Sequence, residues 1–422
     1  MTSLDLSLIL VIAAGLGLLL YHHVAYPIIL SAIARTRLPS TEPAIGNDDS
    51  LPTITLLVPA YNEETHIAQK VHSISELDYP PGRFQAVIAL DGPCDATRQR
   101  AMAAAETYTS ATSLMVVEYP HNIGKIGVLN DQIARTSSDI VALSDASAII
   151  AKDALLKAAA HFRHPQIGFV AAGYRLARPG SEGERAYMEQ LAAVRRNESL
   201  LDSPLGAHGA LYFFRRELFR PFEPDTINDD FMLPMRIVER GYRGAYDETI
   251  DVVELETSRR TQEFRRRVRL GAGNLQQSLR LWPGLKASRP WILFMFASGK
   301  GIRPFMPLIA LITLLATLAL ACSNSAAGLP LLILEVLGLA LGALAITRRG
   351  RPLPRIVEWL GYLVEGHTAS TIGALKFLTG TRISNWQRGD QPSLPDFVTL
   401  WPGNHASCRS RTSPGAKGAG IP

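Results

Sequence analysis

Residues 140–149, with the sequence IVALSDASAI, decide the fold of this chain. Four apolar residues from Ile140 to Leu143 run directly into Ser144 and Asp145, a pattern typical of a buried strand that ends in a carboxylate. Open α/β sheets bind their ligands at the C-terminal ends of such strands. An acid at that edge suits a metal ion bound to a diphosphate. An Asp after a strand is more often a helix cap, so this stretch leaves both roles open.

The residues before this stretch alternate between strand and helix patterns. Strand patterns occur in TITLLVPA, QAVIALDG and SLMVVEY, and helical patterns lie between them. Strands that alternate with helices of this length imply a parallel sheet with helices on both faces. We therefore predict an α/β fold.

Polar residues follow the first two predicted strands. VPAYNEE places Ala60, Tyr61 and Glu63 at the C-terminal edge, where a nucleotide base and ribose could meet a ring and polar groups. The second strand ends in Asp91 and Gly92, and the glycine allows a sharp turn. Structural alternatives exist, because Asn-Glu-Glu is a fair helix start and Asp-Gly is a common turn.

A glycine and lysine motif, HNIGKIGVLND, follows the third strand at residues 121–131. Gly124 and Gly127 allow the backbone to approach a ligand closely. Lys125 adds a positive charge near a helix N-terminus, which suits a phosphate group.

Two apolar stretches indicate a membrane protein. Residues 6–34 and 304–334 contain no Asp, Glu, Lys or Arg, and each can cross a hydrocarbon core of about 30 Å. The second stretch is interrupted near residues 323–330, so we predict two helices joined by a tight turn. The first stretch has no basic residue before it and is too long for a cleavable signal, so we expect a permanent anchor.

Basic residues flank these stretches on one side. All of them share a side if residues 38–303 face the cytoplasm, which predicts a multi-pass protein of the cell (inner) membrane with a cytoplasmic catalytic domain. The same residues account for the formal net charge of +5, and no basic patch interleaved with aromatics indicates nucleic acid binding. Three isolated cysteines argue against a disulfide framework or a zinc site. The flanking residues are Arg35, Arg37, Lys300, Arg303, Arg348, Arg349, Arg351 and Arg355.

The chain divides into seven predicted segments. They are an N-terminal transmembrane anchor (1–38), a linker (39–52), a cytoplasmic catalytic domain (53–281), interfacial helices (282–303), two transmembrane helices (304–347), an amphipathic or membrane-associated helix (348–384) and a tail expected to be disordered (385–422).

VPAYNEE, the Asp-Gly strand end, NIGKIGVLND and SDAS occur in the order typical of a known family. The chain resembles the inverting GT-A nucleotide-sugar glycosyltransferases of family 2, and more closely their membrane-bound branch of cellulose, chitin, hyaluronan and poly-N-acetylglucosamine synthases. The similarity extends from about Thr53 to Gln277. It implies a GT-A domain, a UDP-sugar donor and a divalent metal ion, either Mg²⁺ or Mn²⁺.

The resemblance also implies roles for individual residues on the donor side. Asp145 corresponds to the first acid of the family's DxD motif and would be the metal ligand. Ser147 replaces the second acid, which leaves the ligand set open because a hydroxyl is a poorer ligand for a hard cation. The nucleotide-sugar site would comprise Ala60, Tyr61, Glu63, Asp91, Lys125 and Asp145.

Two later segments resemble the acceptor and catalytic parts of the family. GAHGALYFFRREL (206–218) would bind acceptor through His208 and Gly209, although a structural role for His208 is equally open. In INDDFMLPMR, Asp230 aligns with the family's catalytic base and Asp229 with the acid before it on the acceptor side. Helix capping is the alternative for this pair.

FRRRVRL (264–270) stands where the synthases carry QxxRW. Arg266 and Arg269 would share a helix face and stabilise the charge on the departing diphosphate. The alternative is a basic helix lying on anionic lipid. Leu270 replaces the family's Trp, which weakens the expectation of a long polymer.

We therefore expect a membrane glycosyltransferase that moves a sugar from a UDP-sugar to an acceptor hydroxyl with inversion. The acceptor would be a saccharide or a lipid, and the product an extracellular polysaccharide or a glycolipid. A non-processive transferase acting on a lipid-linked saccharide and an inactive membrane assembly subunit are the alternatives. An export or assembly partner is possible, whereas nucleic acid is not expected.

Overall fold

A computed structural model of the chain describes residues 2–37, 51–108, 113–177, 182–255, 260–285, 289–323, 325–348 and 353–381. The predicted tail at 385–422 and residues 39–50 of the predicted linker lie outside the described residues.

The strands are β1 (Ile54–Ala60), β2 (Phe84–Asp91), β3 (Ser113–Tyr119), β4 (Ile140–Leu143), β5 (Ala148–Ile150), β6 (Ile167–Ala172), β7 (Arg175–Leu176), β8 (Tyr212–Arg215), β9 (Arg243–Asp247) and β10 (Val252–Glu254). The helices are α1 (Ser3–Leu20), α2 (Tyr26–Ala34), α3 (Ile67–Ser75), α4 (Thr97–Glu106), α5 (Lys125–Arg135), α6 (Ala154–His161), α7 (Glu182–Leu201), α8 (Asp229–Glu239), α9 (Arg260–Leu285), α10 (Pro290–Met295), α11 (Met306–Cys322), α12 (Gly328–Thr347) and α13 (Arg355–Leu378).

A seven-stranded sheet in the order β3-β2-β1-β4-β8-β6-β9 forms the centre of the α/β fold. Both faces of this sheet are covered. Leu56 and Val58 of β1 belong to one hydrophobic cluster, and Leu57 belongs to the other. The apolar run of β1 is therefore buried on both sides, as expected for a central parallel strand.

The predicted parallel arrangement is confirmed for the three strands on which it was based, but the sheet as a whole is mixed. β1, β2, β3 and β4 are parallel, but β8 runs antiparallel to both β4 and β6. Tyr212, the first residue of β8, pairs with Leu143, the last residue of β4. Because β8 begins at the edge where β4 ends, it must run away from that edge. The strand and helix pattern from which the parallel sheet was inferred covers β1 to β3 and does not include β8.

A second sheet of three short strands, β5-β10-β7, lies beside the segment that contains Asp145. β5 is antiparallel to β10, with Ile150 opposite Val252. The chain turns from Asp145 directly into this strand, so no helix begins there and helix capping is excluded as the role of Asp145.

Among the described residues, three helical stretches are long and apolar enough to cross a membrane: Ser3–Ala34, Pro290–Cys322 and Gly328–Thr347. The first two run side by side in opposite directions. Near one end Ser323 Oγ donates to Asp5 Oδ1 (2.8 Å), and further along Tyr21 Oη donates to Ser298 Oγ (2.7 Å). Both stretches contain a π-helical segment at this second level, at Tyr21–Ala25 and Phe296–Gly301.

The ends of these two stretches pack into the α/β domain. Leu30 of α2 and Met295 of α10 are fully buried in the same hydrophobic cluster as Leu57 of β1 and Phe214 of β8. α13 packs along α9 and α12. Its Glu365 forms an ion pair with Arg267 of α9 (3.2 Å). The ends of two of the candidate membrane spans and the α/β domain therefore share one hydrophobic core.

This shared core predicts that an anchor residue stabilises the α/β domain. Leu30→Ala should lower the free energy of unfolding by about 2–5 kcal/mol, because it opens a cavity in a packed core. Ile28→Ala, on the same helix but 62% exposed, is the matched control and should have little effect. Thermal unfolding of the detergent-purified protein measures both, and equal midpoints for the two variants would contradict the shared core.

Candidate active site

Three carboxylates and one lysine meet at the C-terminal edge of β4. Lys125 Nζ lies 3.2 Å from Asp145 Oδ1 and 3.3 Å from Asp229 Oδ1. Asp230, the next residue of α8, turns its Oδ2 towards Gly209 N, which donates to it (3.1 Å). Lys125 and the two acids of α8 are about 20 and 85 residues from Asp145 in the chain. All of them meet at the strand end that the sequence pattern indicated.

Asp91 supports the loop that presents Lys125. Its Oδ1 accepts from Ile123 N (2.7 Å) and its Oδ2 accepts from Gly124 N (3.0 Å). Gly124 has a φ of 83°, in the left-handed region that favours glycine, and stands directly before the first residue of α5. The sequence motif is therefore a turn that places a lysine at the start of a helix.

The carboxylates control the charge of Lys125. Burial alone would lower the pKa of Lys125, but Asp145, Asp229 and Asp230 outweigh burial and raise that pKa above its ordinary value. Burial and the neighbouring Asp229 raise the pKa of Asp230. The site therefore contains a permanently charged lysine beside a carboxyl group that takes up a proton more readily than an exposed Asp.

His208 and Gly209 line the same edge. Gly209 O accepts from Asp145 N (3.2 Å), and a Cβ added at Gly209 would lie 2.9 Å from Asp145 Oδ2, so only glycine allows this approach. His208 stacks on Tyr174 with ring centroids 3.6 Å apart, and its Nδ1 accepts from Ala210 N (3.1 Å). Burial, followed by Arg195, holds the pKa of His208 well below its usual value, so the ring is neutral.

These groups open on a cavity of about 1260 Å³. Nine of the predicted site residues line it: Tyr61, Lys125, Asp145, His208, Gly209, Asp229, Asp230, Arg266 and Arg269. Ala60, Glu63 and Asp91 do not belong to the described lining of this cavity. The carboxylate of Glu63 lies 3.4 Å from His66 Nδ1, and its backbone N donates to Thr97 Oγ1 (2.6 Å).

Arg266 and Arg269 project from α9 into this cavity. Arg269 Nη1 donates to Ile227 O (3.4 Å), just before the two acids of α8. Burial and the adjacent Arg266 lower the pKa of Arg269, whereas Asp230 and Asp229 oppose the shift. The helix capping alternative for these acids has no support, because Asn228 occupies the N-cap position and no side chain makes a capping hydrogen bond there.

The sequence analysis missed two charged residues of α7 that line the cavity. Arg195 Nη2 donates to Ala207 O (3.1 Å), and Glu198 Oε2 accepts from Leu205 N (2.9 Å), so both hold the segment before His208. In the sequence, the feature that could have indicated these two residues is their spacing of three, which places them on one helix face. The neighbouring residues in the sequence do not distinguish this charged pair from a pair on a solvent-exposed helix face.

Lys70 was missed as well, although it is fully buried beneath Asp145. Its Nζ donates to Ser144 Oγ (2.6 Å) and to Ala148 O (2.7 Å), which brackets the segment carrying Asp145. Burial lowers the pKa of Lys70 to about 7, while Asp145 and Glu254 oppose this. Lys70 is a positioning residue that holds the strand end from α3.

A divalent cation is compatible with this site, although in the described part of the chain no group of three or more His, Cys, Asp or Glu side chains is arranged to hold one. The side chain of Asp145 is 34% exposed, and Asp229 Oδ2 is buried without a hydrogen-bond partner. Mg²⁺ is commonly held by one or two carboxylates together with substrate phosphates. The residues therefore fit a cation that arrives with a diphosphate.

The mixed sheet, the acidic strand end and the lysine at a helix start are the features of a GT-A fold. Residues 52–273, slightly more than half of the chain, match the family described as Glycosyltransferase like family 2, and the chain belongs to that family. This family is the one that the sequence motifs indicated.

Curated relatives have different products. The chain is 28% identical over 195 residues to β-monoglucosyldiacylglycerol synthase of Trichormus variabilis, which covers 44% of this chain and 42% of that protein. It is 25% identical over 209 residues to poly-β-1,6-N-acetyl-D-glucosamine synthase of Staphylococcus aureus, covering 48% and 49%. The chain thus spans less than half of the length of these relatives.

A solved structure shares the fold over most of the chain. The mannosyltransferase PcManGT from Pyrobaculum calidifontis, in complex with GDP-Man and Mn²⁺, superposes with a TM-score of 0.69 at 23% identity. The match covers 90% of this chain and all of that one. The shared fold therefore extends beyond the family segment into the flanking helices.

The position of Lys70 predicts that its loss destabilises the active site. Lys70→Met should lower the free energy of unfolding by about 2–3 kcal/mol, because two hydrogen bonds are lost and Ala148 O is left buried without its donor. Lys152→Met removes only an exposed pair with Glu76 and should cost about 0.5 kcal/mol or less. Thermal unfolding compares the two, and equal costs would show that Lys70 does not support this segment.

Proposed function

We propose that this enzyme transfers a sugar from a UDP-sugar to an acceptor hydroxyl with inversion, and that Asp230 is the catalytic base. The observation that carries the proposal is that buried Asp229 and half-buried Asp230 line one cavity together with Lys125 and Asp145. A base is required on the acceptor side, and cations are required on the diphosphate side. Both requirements are met within this cluster.

In the proposed step, the acceptor hydroxyl attacks the anomeric carbon of the sugar from the side opposite the diphosphate. Its proton passes to a carboxylate oxygen of Asp230, the new glycosidic bond forms, and the bond from the anomeric carbon to the diphosphate oxygen breaks. The raised pKa of Asp230 suits this role, because it makes the carboxylate a stronger base. One direct displacement inverts the configuration at the anomeric carbon.

Cationic side chains are proposed to bind the departing diphosphate. Lys125 remains charged because of its carboxylate neighbours, and Arg266 and Arg269 approach the same cavity from α9. Fixed charges of this kind stabilise negative charge without reorganisation. Asp145, with Asp229 nearby, would hold Mg²⁺ or Mn²⁺, and such a cation supplies further neutralisation of the diphosphate.

The remaining predicted residues have proposed binding roles. Tyr61 lines the cavity and would contact the nucleoside, with Ala60 and Glu63 beside it at the end of β1. Asp91 would shape the nucleotide site through the loop that it holds. His208 and Gly209 would contact the acceptor, since the neutral ring can donate one hydrogen bond from Nε2.

The proposed setting is the inner membrane, with the catalytic domain cytoplasmic and the three candidate spans crossing the bilayer. The acceptor would be a membrane-associated saccharide or lipid, and an export or assembly partner could act on the product. The inactive-subunit alternative is not favoured, because Lys125, Asp145, Asp229 and Asp230 all converge on one cavity.

Release of the nucleoside diphosphate, UDP from a panel of UDP-sugars or GDP from GDP-mannose, in the presence of Mn²⁺ or Mg²⁺, tests the proposal. Asp230→Asn should reduce turnover by about 10²- to 10⁴-fold, because an amide cannot accept the hydroxyl proton. Asp153→Asn, at an exposed helix position, is the control and should retain activity. Full activity of Asp230→Asn would exclude Asp230 as the base.

The pH dependence of kcat/KM provides a second test. A base acts only when it is deprotonated, so activity should fall as the pH drops through the raised pKa of Asp230. Asp229→Asn removes the like charge that raises this pKa, and should therefore move the acid limb to lower pH. Asp153→Asn should leave the acid limb of the pH profile where it is in the wild-type protein. An acid limb at the wild-type pH in Asp229→Asn would show that the charge of Asp229 does not raise the pKa of Asp230.

A further inference from the structure

The active-site cavity continues from the acids of α8 to the helices of the candidate membrane spans. Its far wall is formed by the π-helical turn after α1, the segment before α11 and one face of α13. Phe231, which directly follows Asp230, connects the two parts, because Lys300 Nζ lies 5.8 Å over its ring. A molecule bound at this wall can therefore reach the proposed base without leaving the cavity.

The charge of this wall differs from that of the catalytic end. Within the described residues, the lining contributed by the span helices and α13 contains no Asp or Glu, whereas the catalytic end contains several carboxylates. The cations and imidazoles of the wall are Lys300, Arg303, Lys376, His22, His23 and His367. We call these six residues the basic wall. Glu198 of α7 lines the same cavity and interacts electrostatically with Lys300, but the three cations outnumber it, so the wall suits an anion.

The imidazoles of the basic wall join two helices. His23 Nε2 lies 3.3 Å from His367 Nε2 on α13, and the rings of His22 and His23 are 4.8 Å apart. His22 Nδ1 also approaches Ser298 O (3.0 Å) on the neighbouring stretch. The polar groups of the wall are therefore held at one level by contacts between different helices.

The position of these contacts along the helices coincides with the end of α11 at which its apolar run begins. Lys300 and Arg303 lie just before Met306, and the helix from Met306 to Cys322 contains no charged residue over 17 residues, about 25 Å of length. This length approaches the thickness of the hydrocarbon core of a bilayer. The cations thus lie at the depth where lipid phosphates are found. Apolar residues adjoin them in the lining: Pro27, Met306, Trp359, Leu363 and Ile372.

We propose that the basic wall binds the phosphate of a lipid acceptor, so that the acceptor is a lipid that carries a phosphate group between its acyl chains and the hydroxyl that receives the sugar. The inference rests on the proposed function, and it specifies the acceptor class. The phosphate binds Lys300 and Arg303, the chains lie along the apolar lining, and the hydroxyl points to Asp230. The bonds made and broken are those of the transfer step described above.

Lipid retention by the full-length protein in detergent tests this proposal. Native mass spectrometry would compare phosphatidic acid with diacylglycerol of the same acyl chains, a pair that differs only in the phosphate. We expect the wild-type protein to retain phosphatidic acid about tenfold more than diacylglycerol, because charge-assisted hydrogen bonds to phosphate are lost in the neutral lipid. Equal retention of the two lipids would overturn the proposal.

Variants of the basic wall test whether the preference for phosphatidic acid arises from these residues. Lys300→Gln combined with Arg303→Gln should abolish the preference for phosphatidic acid, whereas Arg303→Lys, which keeps the charge, should retain most of it. Arg348→Gln removes an exposed cation at the end of α12, outside the cavity, and is the matched control. An equal loss in Arg348→Gln would indicate nonspecific attraction to anionic lipid and overturn the proposal.

Two further measurements separate the possible failures. An excess of inorganic phosphate that displaces phosphatidic acid would identify a free-phosphate site and overturn the lipid assignment. UDP binding by the wild-type protein, measured by calorimetry with Mn²⁺, tests the proposed function independently. Absence of UDP binding together with a preference for phosphatidic acid would refute the transferase chemistry proposed here and leave the lipid site intact.

Discussion

The active site depends on the burial of Lys125 among three carboxylates. Asp145, Asp229 and Asp230 would repel one another in a poorly solvated site, and the lysine compensates this repulsion at 3.2 Å and 3.3 Å from the first two. The ion pairs also connect the start of α5, the end of β4 and the start of α8. The side chain of Lys125 therefore both compensates the charge of the carboxylates and holds these three elements in place.

The second constraint is the core shared by the α/β domain and the membrane helices. Because Leu30 and Met295 pack in the same cluster as the central strands, the anchor and the catalytic domain have a fixed relation. That relation allows one cavity to have a catalytic end made by the sheet edge and a basic wall made by the spans. A loosely tethered domain could not maintain a continuous path between them.

The sequence located residues that follow a strand or start a helix. Asp145 and Lys125 lie at one edge of the sheet as expected, because strand ends of a parallel sheet meet there, and their roles in the site stay predictions. The antiparallel direction of β8 was not found, because helices and strands continue to alternate in this part of the chain and strand direction depends on where the preceding loop emerges. Lys70 was not found, because a lone lysine in a helical pattern normally indicates a solvated face.

The sequence by itself determined the α/β class, the four motifs and the apolar stretches, and it singled out six of the charged residues that line the cavity, because these depend on local periodicity and residue type. Only the tertiary structure decided that Arg195, Glu198 and Lys70 support the site, and that the histidines of two distant helices adjoin it. The physical reason is that burial and contact depend on packing between elements far apart in the chain, which local sequence patterns do not encode.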